Sequence, residues 1–453
     1  MTKMMNLITA LHSIGYHPGG WRHPEAWSQP SVNFEQNLQT AKTAERGKFD
    51  MLFTGDSNSV KMGSRELLRA GSMNGRPVAF EPVTLLSAIA MHTKNIGLLA
   101  TATTTYEEPW TLARKFASLD HISGGRACWN VVTTSTFADA LNFSKTEHLP
   151  ADQRYERARE CVEVCKGLWD SWADDAFTQD KESGQFLDPD KLHVLDHKGK
   201  YFGVKGPLNI RRPPQGHPVL FMAGQSEPGR EFAASTADCQ FAVTPSKEMA
   251  IGFYADVKSR MAKYGRSTEE LRILPGVGVG VYVGRTAEEA DEFIEQLESR
   301  VSPVQGVQHL SAHLGMDLSG YPIDGPVPEI TGDNLGVSSR RFAVAEMAKR
   351  ENLTIRQTYL RVIRSLGHVV MKGSGKQVAD QMEDWFTSNA CDGFNVHVPI
   401  QPGGLNRFVD LVIPELQRRG LFRTEYSGKS LREEMGLPVA TNPFFPAHVA
   451  AAQ

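Results

Sequence analysis

The 453 residues carry none of the short signatures that announce a nucleotide, a metal or a hydrolytic nucleophile. No G-x-G-x-x-G ends a strand-like run and opens a helix; Gly276, Gly278 and Gly280 lie within one such run and lead to no helix start. The GSGK of Gly373–Lys376 is not a phosphate loop, because Val370 stands where its first glycine belongs and Gln377 where its Ser/Thr belongs. Neither H-E-x-x-H nor G-x-S-x-G occurs. A Rossmann-type nicotinamide site, ATP use and zinc hydrolysis therefore lack support. The five cysteines, Cys128, Cys161, Cys165, Cys239 and Cys391, are scattered and odd in number, which argues against a disulfide framework and for a reducing compartment. Cys161 and Cys165 sit four apart in a helical pattern with no histidine pair at metal spacing, so they read as small apolar residues. No run reaches the roughly 18–20 apolar residues needed to cross a bilayer, and Met1–Ala10 has neither signal-peptide core nor cleavage site. The expected location is the cytoplasm. A net charge of −3 gives no reason to expect nucleic acid or membrane as partner.

What the chain does contain is alternation. With 40% hydrophobic and 22% charged residues it has the composition of a globular enzyme. Apolar strand-like runs at Asn6–His12, Phe49–Thr54, Ile96–Thr105 and Arg126–Thr134 are separated by stretches of helical period. One of these is Pro82–His92, opened by proline; another is Trp110–Ile122, with Gly124 as its stop; a third runs long from Tyr155. Further strands read at Pro218–Ala223, Gln240–Val243, Ile273–Val283 and Phe394–Val398. Repeated βα units with continuous apolar strands imply a parallel sheet covered on both faces. Eight of them favour a (β/α)8 barrel, an α/β fold, over an open doubly wound sheet. We read residues 1–453 as a single domain with insertions at about 173–212 and 302–365, and the tail after Gly420 as an extension packed on the surface.

Barrel enzymes hold their sites at the C-terminal ends of the strands. Polar residues gather there: Asp56 after the second strand, Thr103–Tyr106 after the third, Asn130, Thr133 and Thr134 at the fourth, Gly224-Gln225-Ser226 after the fifth. A lone strand threonine is explained equally well by β-propensity; polar ends on four successive strands are not. In Ala223–Arg230, Gly224 permits close backbone approach to a ligand, Ser226 caps a helix that Pro228 helps open, and the start of that helix favours a phosphate. An ordinary capped turn is the competing reading. Tyr155 fits the apolar face of its helix as well as a site.

Longer stretches carry a family resemblance: GGWRHP (19–24), AERGKFDMLFTGDS (44–57), the run from Ala100 to Thr134, DQRYERA (152–158), VKGPLNIRRPPQGHPVLFMAGQSEPGRE (204–231), ENLTIRQTY (351–359) and VIPELQRRGLFRTEY (412–426). Through these the chain resembles, nearly end to end, the nitrilotriacetate, EDTA and dibenzothiophene-sulfone monooxygenases, a branch of the bacterial-luciferase superfamily. The resemblance implies a luciferase-like TIM barrel using FMN as FMNH2, with O2 and a separate NAD(P)H:flavin oxidoreductase, in a homodimer or homotetramer. It implies flavin contacts at Asp56, Thr103, Asn130, His148, Tyr155, Gly224 and Ser226. Ser226 and Tyr155 would take the phosphate and the others would line the isoalloxazine. No catalytic acid or base follows from it.

The reaction so implied is oxygenation of a small organic substrate, by C–N cleavage of an aminocarboxylate or, alternatively, attack on a sulfone or thioether. A barrel that binds flavin without turnover is the reading from another class, and a metal-dependent barrel hydrolase would need a ligand cluster that the strand ends do not supply. His397 stands where this family is expected to carry an apolar residue, and His12, His17, Trp21 and Arg22 after the first strand either contact an anionic group or order their loop. Part of one or the other insertion, both polar and marked by Pro and Gly, is expected to border the flavin pocket and to close over it, the second more than the first, with a stretch within Val327–Ser339 as the one to shorten.

Overall fold

The computed structural model describes residues 3–29, 32–60, 78–134, 136–329, 339–365 and 368–446. Its centre is a ring of eight parallel strands: β1 (Asn6–Ala10), β2 (Met51–Thr54), β3 (Gly97–Thr103), β4 (Ala127–Val132), β5 (Val219–Ala223), β6 (Cys239–Ala242), β7 (Arg272–Gly284) and, after a further strand β8 (Val369–Ser374), β9 (Gly393–Val396). β6 pairs with β7, β7 with β9 and β9 with β1, so the ring closes. All eight ring strands lie where hydrophobic runs placed them. β8 was not read from the sequence. It lies outside the ring, paired with the upper half of the thirteen-residue β7 (Met371 against Val281), and Ser374 at its end caps the helix Gly375–Thr387. The GSGK stretch is therefore a strand end and a helix cap.

Side chains alternate between two cores. Ile8, Met51, Leu99, Cys128, Val219, Phe221, Cys239 and Leu274 turn inward, while Leu7, Leu52, Leu98, Trp129, Leu220 and Ile273 pack under the surrounding helices. The inner core is completed from an unexpected source. Leu431, Met435 and Leu437, from the C-terminal tail, join it. The tail after Gly420 therefore closes the barrel's N-terminal end. It is no surface extension, and its four-residue helix Leu431–Glu434 is too short for periodicity to reveal.

That end is also where buried charge is gathered. Asp50, Asp238 and Asp392 each accept a strand-opening amide, from Leu7 (2.6 Å), Leu220 (2.8 Å) and Ile273 (2.9 Å). Each carboxylate is answered by a cation: Arg423 at 2.6 Å, Arg432 at 2.7 Å and Lys258 at 3.2 Å. Burial pushes Asp238 and Asp392 toward the neutral acid, but their cations outweigh it and hold both below the usual carboxylate range.

The first insertion leaves the barrel at this same end, where Arg212 meets Asp170 at 2.9 Å. It then climbs the outside of the helix Ala151–Trp169: His197 meets Glu160, Lys200 meets Glu156, and Arg157 lies over the Phe202 ring at 4.1 Å. The second carries helices Pro303–Leu314, Ser339–Arg350 and Ile355–Ser365 around a small core of its own, with Leu310, Leu314, Tyr359 and Ile363 fully buried. It is better anchored than its polar composition suggested. Most of Val327–Ser339 lies outside the described residues.

Candidate active site

At the C-terminal ends of β2–β5 opens a cavity of about 750 Å³. Asp56, Thr103, Tyr155 and Gly224 border it, together with Thr134, Gly229 and Phe232. Among the described residues, neither insertion contributes to this lining.

One end of the cavity is a corner of bare backbone at a helix start. β5 ends at Ala223, and the helix Glu227–Thr236 begins four residues later with Ser226 as N-cap, its hydroxyl accepting the Gly229 amide at 3.4 Å. Ser226 Oγ also donates to the Tyr155 hydroxyl at 3.5 Å. Gly224 and Gly229 face each other across this corner. A Cβ on Gly224 would stand 2.8 Å from the Tyr155 oxygen, and one on Gly229 would stand 2.9 Å from the Gly224 carbonyl carbon. The bare backbone leaves a cradle at a helix N-terminus, where unpaired amides and the dipole favour a phosphate. The residues present thus fit the phosphate of a flavin mononucleotide. Gly229 was quoted in the sequence motif but given no role; its neighbour Pro228 signals the helix start, and nothing in the sequence shows that Gly229 meets Gly224.

The opposite wall is acidic. Burial raises the Asp56 pKa above the ordinary carboxylate range, and Glu81, Asp139 and Glu107 push it further. Asp139 accepts the Asn58 amide at 3.4 Å and the Ser59 hydroxyl. Below the cavity, Asn130 Nδ2 donates to Thr101 Oγ1 at 2.9 Å while its buried Oδ1 has no partner among the described residues. His148 stands behind the wall with both ring nitrogens engaged, Nδ1 with the Tyr106 hydroxyl at 2.6 Å and Nε2 with the Thr134 carbonyl at 3.1 Å. The seven sequence candidates therefore gather at one end of one barrel: four on the lining, Ser226 at its corner, Asn130 beneath and His148 behind.

His397 is buried, with its ring stacked on Tyr16 at 4.1 Å and close to Phe241 and His368. These rings come from the loop after β1, from β6, from just before β8 and from just after β9, and form an aromatic cluster within the same end of the barrel.

A model of the luciferase-like monooxygenases matches residues 10–388. The chain is 47% identical to the N-acetyl-S-(2-succino)cysteine monooxygenase of Bacillus subtilis (strain 168), covering 98% of each chain. It is also 47% identical to nitrilotriacetate monooxygenase component A of Aminobacter aminovorans, over 96% of this chain and 97% of that one. Among solved structures, EDTA monooxygenase from Chelativorans sp. BNC1 superposes with a TM-score of 0.77 at 32% identity, over 96% and 99% of the two chains. An eight-stranded parallel barrel, a cavity at its C-terminal mouth and this breadth of likeness place the chain in the luciferase-like monooxygenase family, as a flavin-dependent monooxygenase.

Proposed function

We propose that the protein is the oxygenase of a two-component system that takes FMNH2 from a separate NAD(P)H:flavin oxidoreductase. The corner of Gly224, Ser226, Gly229 and Tyr155 carries this reading: it is shaped for the cofactor's phosphate, while nothing in the sequence provides a Rossmann fingerprint for a nicotinamide. One relative is named as a component A, which fits division of labour between two chains. The free, buried cysteines support the cytoplasm as its compartment. Reduced flavin supplies the two electrons with which O2 is split between substrate and water. The protein's part is to seat the flavin, hold the substrate beside it and exclude water.

Two relatives act on molecules in which carboxylate-bearing carbons are bonded to nitrogen or to sulfur. We infer a substrate of that kind, a small amine or thioether bearing carboxylates, which yields a dealkylated or singly oxygenated product. Incubation with NADH, a generic flavin reductase and a panel of such compounds, followed by product mass, tests this; conversion of neutral aromatic sulfones alone would refute the carboxylate assignment.

Ser226→Ala and Tyr155→Phe should each weaken FMNH2 binding by about ten- to a hundredfold, the worth of one charge-assisted hydrogen bond, with little change in melting temperature. Anaerobic titration measures this, and parental affinity in both variants would show the phosphate site to be misplaced.

A further inference from the structure

We propose that Arg154 is a positioning residue of the flavin cavity: it fixes the backbone of Thr134 and, through it, the pair of hydroxyls that walls the cavity beside Thr103. The proposal rests on the flavin reading above. Thr134 has a φ of +36°, a region that a β-branched residue avoids because its Cβ crowds the backbone. Such a conformation persists only where the surroundings over-determine it. Here they do. Arg154 Nη1 donates to the Thr133 carbonyl at 3.0 Å and, more closely still, to the Thr134 carbonyl. His148 meets the same Thr134 carbonyl from its own side.

The consequence is felt at the cavity. With Thr134 turned this way, its Oγ1 lies 2.6 Å from Thr103 Oγ1, which also accepts the Thr105 amide at 3.1 Å. Both threonines line the cavity. Arg154 and Tyr155 are consecutive, the fourth and fifth residues of the helix Ala151–Trp169. One helix start therefore brings the clamp to the β4 side and the Tyr155 hydroxyl to the Ser226 side, so the two walls are set by one rigid element. Arg154 forms no ion pair with a described carboxylate. Replacing it strands no buried acid, which makes Arg154→Met an informative substitution.

The test is a four-member cycle of the full-length protein: parent, Arg154→Met, Thr134→Gly and the double variant. FMNH2 affinity is measured anaerobically, melting temperature without flavin, and the ratio of product to H2O2 in turnover. Arg154→Met should bind FMNH2 roughly five- to thirtyfold more weakly, as expected for release of one strained conformation, and should release more H2O2. Thr134→Gly removes one hydroxyl of the cavity wall and should itself bind FMNH2 more weakly than the parent. The double variant should be no weaker than Thr134→Gly, because glycine adopts the left-handed region without a clamp. If Arg154→Met fails to fold, Arg154→Gln with and without Thr134→Gly gives the same comparison, since a glutamine side chain stays polar but ends two bonds short of the nitrogen that serves both carbonyls. A double variant several-fold weaker than Thr134→Gly overturns the proposal. So does coupling seen in melting temperature but not in flavin affinity. Failure of the parent protein itself to bind FMNH2 would instead overturn the flavin reading, and this inference with it.

Discussion

Gly229→Ala should cut the affinity for FMNH2 by roughly ten- to a hundredfold, the cost of forcing a methyl group into a closed corner, while the barrel stays folded. The added Cβ would stand 2.9 Å from the Gly224 carbonyl carbon, 3.0 Å from its Cα and 3.0 Å from the Tyr155 oxygen. Two of those three neighbours are backbone, so relief requires the turn after β5 to move away from the helix start. That movement displaces Ser226 and Tyr155 together, the two side chains proposed to hold the phosphate. Alanine is otherwise well suited to the first turn of a helix, so the effect should fall on the ligand and not on the helix. Anaerobic titration beside a thermal melt separates the two. A variant that binds like the parent would mean that the Gly224–Gly229 corner holds no phosphate.

Arg432→Met should destabilise the protein by about 3–5 kcal/mol, the usual cost of leaving one partner of a buried ion pair alone. Arg432 is 4% exposed and forks onto Asp238 at 2.7 and 3.1 Å, with a third bond to the His217 carbonyl at 2.8 Å. Without it, Asp238 keeps its amide bond from Leu220 but loses the charge that holds its pKa down. The parent's dependence on pH follows from the same groups. Asp238 and Asp392 titrate lower in the folded than in the unfolded chain, so their contribution is complete above the unfolded value of about 4 and is lost as pH falls through the folded value. The parent's melting temperature should therefore drop steeply below about pH 4, and the Asp238-dependent part of that drop should vanish in Arg432→Met. Equal melting temperatures for parent and variant at neutral pH would contradict this account of the barrel's closed end.

Much of this architecture is written in the chain locally. Every ring strand but β7 is a short apolar run, each proline-opened helix announces its start, and Gly124 does terminate its helix at a φ of +69°. Asp56, Thr103 and Gly224 stand out because strand ends in a barrel converge, whereas Tyr155 lies on a helix and entered only through the family resemblance. What escaped the sequence depends on contacts between distant segments. β8 needs the overlong β7 as its template, and the tail's Leu431, Met435 and Leu437 look like surface residues until the barrel floor is there to receive them. The second glycine of the corner proposed for the flavin and the clamp on Thr134 are pairings across 5 and 20 residues whose meaning lies in an approach distance, which no residue pattern records. The first insertion shows the reverse error. Its polar composition suggested a lid, yet its salt bridges to Glu156 and Glu160 fasten it along the outside of a helix.

The central claim is that this barrel oxygenates a small substrate with flavin reduced elsewhere. The most direct measurement is single turnover: protein loaded anaerobically with FMNH2 and a carboxylate-bearing amine or thioether, then exposed to 18O2, with no reductase and no NADH present. The account predicts a product carrying one 18O atom or, where the C–N or C–S bond breaks, an unlabelled dealkylated product beside a carbonyl fragment that receives the 18O. It also predicts that the protein alone oxidises no NADH. Flavin oxidation yielding only H2O2 across the whole panel, or NADH oxidation by the protein without a reductase, would contradict it.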